Sequence, residues 1–125
     1  MHDAELDELI EDSKSRVQKV LDEYQNTKFW LKAYVDDKRQ YWGQYRIYYY
    51  PNKNIRLPSN MFTFVFHPIK GAVKNSIPAW YKGENILVNE YHTFLGEVAN
   101  KINKATAIQR LCIKKYIEEH PGLIV

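Results

Sequence analysis

The chain has 125 residues, of which 45% are apolar and 26% charged, and a formal net charge of +3. That length suits one domain with a core able to stand without staples, and the composition excludes wholesale disorder. A single cysteine, Cys112, excludes an internal disulfide, and no apolar run approaches the roughly 18–20 residues that cross a bilayer.

Residues 3–25 predict an amphipathic helix. Leu6, Leu9, Ile10, Val17, Val20, Leu21 and Tyr24 recur at helical spacing, and Ser13 bridges the stripe. Asp3, Glu5, Asp7 and Glu8 crowd the first turns, where the positive end of the helix dipole favours carboxylates. Asp12–Arg16 and Lys19–Glu23 stand one turn apart as ion pairs. Gln25-Asn26-Thr27 supplies the stop.

Residues 28–67 read as strands. Phe29, Leu31, Ala33 and Val35 alternate with Trp30, Lys32 and Tyr34, and Asp36-Asp37-Lys38-Arg39 makes a turn. Tyr41 to Tyr50 is rich in β-favouring aromatics, with Gly43 a poor helix residue. Pro51-Asn52-Lys53-Asn54 and Pro58-Ser59-Asn60 interrupt before the clearest strand. There Phe62, Phe64 and Phe66 take one face and Met61, Thr63, Val65 and His67 the other. A competing reading places Tyr34, Val35, Tyr41, Trp42, Tyr45 and Tyr49 at helical intervals, which would make the protein a mostly α-helical bundle.

Pro68, Gly71, Pro78 and Gly83 predict loops and one helical turn over 68–83. Residues 86–119 are helical again. Their stripe runs Val88, Tyr91, Leu95, Val98, Ile102, Ala105, Ile108, Leu111, Cys112 and Tyr116, with a division expected at Asn100 to Lys104. Cys112, among Ile108, Leu111 and Ile113, reads as a small buried hydrophobe rather than a reactive thiol. His120-Pro121-Gly122 closes the segment. The expected fold is therefore α+β in a single domain, 1–125. It has an N-terminal helix, a short antiparallel sheet of about three strands from about 29 to 67, and C-terminal helices on one sheet face.

Charge is distributed unevenly along this order. Residues 1–27 hold eight acids against three bases, residues 28–82 ten bases against two acids, and residues 83–125 five of each. Between Lys38 and Gly83 there is no Asp or Glu, and 14 of the 18 aromatic residues fall in the basic middle segment. Basic side chains attract phosphate and aromatic faces stack on bases, so the partner this bias points to is DNA or RNA. The candidate contact residues are Trp30, Lys32, Arg39, Tyr45, Arg46, Tyr49, Lys53 and Arg56. Trp30, Tyr34, Tyr45 and Tyr49 form an expected outward ring. Tyr48, on the opposite face of a strand from Tyr49, is expected to serve the fold.

Sequence motifs for catalysis are missing. His2, His67, His92 and His120 are isolated from one another, Glu90 and His92 do not share a helix face, and a zinc set of His67, His92 and Cys112 has no ligand spacing behind it. The five glycines stand alone, so there is no phosphate loop, and no G-x-S-x-G elbow occurs. The expectation is a protein that is not an enzyme, with no metal and no cofactor.

The helix–three strands–helix order is similar to that of the double-stranded RNA-binding domain. Asn85 to Glu97, however, holds Glu90 and Glu97 and no Lys or Arg where that family has its basic cluster, so the family is not carried over. The leading expectation is a small non-enzymatic nucleic-acid-binding protein. Its Lys, Asn, Ile and Tyr usage suggests a phage, archaeal virus or other mobile element. The rival is a protein-interaction module, such as a viral coat subunit or an inhibitor of a host protein. There, tyrosines would anchor the interface, and the acidic helix of one subunit would meet the basic middle of another in a homo-oligomer. Neither reading involves a membrane. The acidic start, without a signal-peptide core, predicts a cytoplasmic protein, in the host cytoplasm or the virion if the gene is viral.

Overall fold

The computed structural model describes residues 4–24, 29–35, 43–49, 63–74 and 86–122. In chain order the elements are α1 (Ala4–Asp22), β1 (Phe29–Val35), β2 (Gly43–Tyr49), β3 (Thr63–His67), β4 (Gly71–Lys74), α2 (Ile86–Ala105) and α3 (Ala107–Glu119). The fold is α+β, and the strands among the described residues form one antiparallel sheet in the order β1-β2-β3-β4. The strands at 29–35 and 43–49 remove the mostly helical alternative. Aromatic and β-branched side chains crowd the preceding turn of a helix but fit a pleated surface.

The fourth strand departs from the expectation of loops and a helical turn after Pro68. Pro68-Ile69-Lys70 forms a tight turn instead, and Gly71–Lys74 returns alongside β3. Two local devices make the turn. The His67 ring accepts at Nδ1 from the backbone N–H groups of Ile69 (3.0 Å) and Lys70 (3.1 Å). Gly71 takes φ +85°, a left-handed conformation that costs glycine nothing.

The core lies between the sheet face bearing Phe64 and Phe66 and the three helices. Leu6, Val17, Val20 and Leu21 of α1 join Leu95, Val98 and Ile102 of α2 and Ile113 of α3, all buried. Ser13 is fully buried on the same α1 seam, as its place in the stripe implied. The far end of α1 is fastened to α2 through Tyr24. Its ring meets Phe94 edge-on at 5.1 Å, its hydroxyl donates to Glu97 (3.3 Å), and the Lys101 ammonium lies 5.0 Å from its centroid.

The two C-terminal helices divide at Thr106, not at Asn100 to Lys104. Thr106 stands between them with φ −108° and ψ 5°; its N–H donates to the Ile102 carbonyl (3.0 Å) and its carbonyl accepts from Arg110 N–H (2.9 Å), which closes one helix and opens the next. The buried Thr106 hydroxyl also donates to the Ile102 carbonyl, at 2.8 Å, the local bonding that bends helices.

The buried positions on the two sides of this break overturn part of the expected stripe. The face that buries Leu95, Val98 and Ile102 continues into Gln109 and Ile113. Ile108 and Leu111 are 72% and 68% exposed, and Cys112 is exposed too. Hydropathy had pulled these three inward, whereas the period puts Gln109 there. Gln109 is accommodated by donating to the Asp12 carboxylate of α1 at 3.0 Å.

Candidate nucleic-acid interface

β1 and β2 are paired along their whole length: Phe29↔Tyr49, Trp30↔Tyr48, Leu31↔Ile47, Lys32↔Arg46, Ala33↔Tyr45, Tyr34↔Gln44 and Val35↔Gly43. β2 continues onto β3 as Gly43↔Phe66, Gln44↔Val65, Tyr45↔Phe64 and Arg46↔Thr63. Opposed residues of an antiparallel ladder share a face, and successive residues alternate. Two faces follow. Phe64 and Phe66 mark the helix-packed face, which takes positions 29, 31, 33 and 35 of β1 and 43, 45, 47 and 49 of β2. Positions 30, 32 and 34 share the other face with 44, 46 and 48, Val65 and Val73.

This corrects the expected outward ring at two positions. Tyr45 is half-buried on the core and stacks on Phe64, with centroids 4.8 Å apart and planes 11° from parallel. Burial pushes its phenol above the ordinary tyrosine pKa. Gly43 makes room for that ring, since a Cβ there would stand 3.2 Å from Tyr45 Cε2. Position 49, four residues along an unbroken register, falls on the same face as Tyr45. The register thus gathers positions 30, 32, 34 and 46 on one face and sets 45 and 49 on the other.

Tyr48 is the position the sequence reading misplaced, for the register sets it opposite Trp30, beside the Lys32↔Arg46 pair. Ile47, the only aliphatic residue of β2, carried the signal: its parity with Tyr45 and Tyr49 marks the inner set. Arg39, Lys53 and Arg56 lie outside the described residues. The face away from the helices is not uniformly open. Val73 is 50% exposed, whereas Thr63, opposite Arg46, is buried.

The histidines do not converge. His67 is committed to the β3–β4 turn, with burial first and the Lys70 charge second holding its pKa below the ordinary value. His120 Nδ1 lies 2.8 Å from the Tyr116 carbonyl, and the two rings stack at 4.0 Å. Among the described residues no group of three His, Cys, Asp or Glu could hold a metal ion, and none of the described helices is long and apolar enough to cross a membrane. Comparison with protein-family models, curated proteins and solved structures finds no match to this chain.

Proposed function

We propose that the chain is a small non-enzymatic nucleic-acid-binding protein that contacts DNA or RNA through the sheet face away from its helices. The observation that carries this reading is the register of β1 and β2. Lys32 and Arg46 are directly opposed, and the aromatic pair Trp30↔Tyr48 lies two positions along the same face. Like charges directly opposed across a ladder destabilise a sheet, and a phosphate between them would turn that repulsion into attraction. An adjacent aromatic pair offers stacking to the neighbouring base. Arg39, Lys53 and Arg56 add positive charge in the acid-free stretch, so phosphate contact dominates and base readout is small. A mobile-element origin and a cytoplasmic or virion location accord with this role.

Titration of single- and double-stranded DNA and RNA across a salt series tests it. Affinity should fall with salt by roughly 0.7–0.9 log units per log unit for each phosphate engaged, and the Lys32→Gln/Arg46→Gln double variant should lower that slope by about 1.4–1.8. Tyr48→Ala should cost about 1–3 kcal/mol on single strands. Absence of binding by micromolar protein at low salt defeats the proposal. The reading as a protein-interaction module draws its support from elsewhere, the exposed apolar residues of α3.

A further inference from the structure

Charge in the molecule is sorted by layer. Every Asp and Glu among the described residues lies in a helix or, as Glu23, just after one, and none lies in β1 to β4 or in the turn between β3 and β4. A polyanion is therefore repelled by the helical layer and drawn to the sheet face away from it. On that face the register sets the residues in cross-strand rows. Lys32↔Arg46 continues to Thr63 of β3. Trp30↔Tyr48 stands on one side of this row, and on the other Tyr34↔Gln44↔Val65↔Val73 spans all four strands. Neither flanking row holds a charge. Alternate positions along a strand are roughly 6.5–7 Å apart, so one line of positive charge runs close between two uncharged lines that hold the aromatic residues.

This pattern selects between the two forms of nucleic acid. A duplex turns the phosphates of two strands outward and keeps its base faces stacked inside, so it has no base face to offer Trp30, Tyr34 or Tyr48. An unpaired strand has one line of phosphates, and its bases are free to stack on aromatic side chains. The shape of the face points the same way. Thr63, at the end of the cationic row, is 1% exposed, whereas Val73 in the next row is 50% exposed. The face is thus closed beside Arg46 and open one row away. A rigid duplex needs a broad open platform, while a flexible strand can follow the open rows. Building on the nucleic-acid reading above, we propose that the ligand is an unpaired DNA or RNA strand. One phosphate sits at Lys32 and Arg46, and the neighbouring bases lie to either side, at the Trp30↔Tyr48 and Tyr34↔Gln44 positions. Stacking rather than base-edge bonding holds the bases, so binding is tolerant of sequence.

Fluorescence anisotropy tests the choice, at roughly 50 mM salt so that phosphate contacts stay strong. One labelled sequence is supplied in four forms: single-stranded DNA, single-stranded RNA, and hairpin-closed DNA and RNA duplexes. At least one single strand should bind roughly tenfold more tightly than either duplex, and the DNA and RNA forms show which sugar is preferred. Trp30→Leu should weaken single-strand binding by roughly tenfold and leave the residual duplex binding unchanged, a split that loss of the fold does not produce. Trp30→Phe, which keeps a ring, should hold single-strand affinity within about threefold. Duplexes bound as tightly as single strands overturn the inference and leave the nucleic-acid reading standing. Single-strand binding indifferent to Trp30→Leu overturns it as well. Absence of binding to all four forms defeats both readings together.

Discussion

The two hairpins of the sheet are held in different ways. β3–β4 is bound to the helices: Phe64 and Phe66 are fully buried in the common core, and α2 packs directly on both strands. Polar bonds add to this. The Asn103 amide accepts from Ala72 N–H (2.7 Å) and donates to the Ala72 carbonyl (3.5 Å). The Arg110 guanidinium donates to the Thr106 hydroxyl (3.1 Å) and to the carbonyls of Asn103 (2.7 Å) and Ile69 (3.5 Å). β1–β2 carries the denser aromatic and basic sequence and is joined by its own seven-pair register. Stability and charge are thus separated, with the core-bearing hairpin able to support a partner whose residues work against sheet stability.

Phe64→Ala should sharpen this contrast most. It removes a fully buried ring and the platform beneath Tyr45, at a cost of about 3–5 kcal/mol, read as a lower urea midpoint at unchanged slope. Gly71→Ala comes next. Its φ of +85° penalises any side chain, and the added methyl would collide with Asn103 Oδ1, so a loss of about 2–3 kcal/mol is expected in thermal melts. In the other hairpin the sign should reverse. Lys32→Gln relieves the opposed Arg46 and should raise stability by about 0.2–1 kcal/mol while weakening the proposed nucleic-acid binding. A destabilised Lys32→Gln protein would break the comparison.

The smallest effect is a dependence on pH. Both turn bonds require a neutral His67 Nδ1, and the folded state holds this histidine below its ordinary pKa. As pH falls, the unfolded chain takes up the proton first. Stability is therefore complete above the unfolded value of about 6.5 and declines below it until the lower folded pKa is passed. His67→Asn, which keeps an acceptor but does not titrate, should flatten that part of the profile in urea titrations from neutral to acidic pH.

Much of the fold was legible because it depends on period. Leu6, Val17, Val20 and Leu21 in α1, Leu95, Val98 and Ile102 in α2, and Phe64 and Phe66 in β3 are all buried where their spacing put them. The losses came where side-chain character was preferred to phase. Ile108, Leu111 and Cys112 are apolar but out of step with the buried face, and Tyr45, expected in the outward ring, takes the inner face that the parity of Ile47 marks. β4 was illegible for another reason. It has four residues, begins with a glycine and draws two of its backbone bonds from a side chain 31 residues away. Of the candidate site, the residue types came from composition, while the opposition of Lys32 to Arg46 and of Trp30 to Tyr48 needed the register.

Asn103 has a consequence for how the molecule behaves among its neighbours. β4 is the last strand of the sheet, and at Ala72 its outward N–H and C=O are both taken by one amide that offers an acceptor and a donor as a peptide group does. Among the described residues no further strand pairs with β4, and the Asn103 side chain stands in for a single peptide unit of one. An exposed strand edge templates the addition of further chains, and here any incoming chain must first displace that amide. The bond that docks α2 also terminates the sheet, guarding this flank against edge-to-edge aggregation.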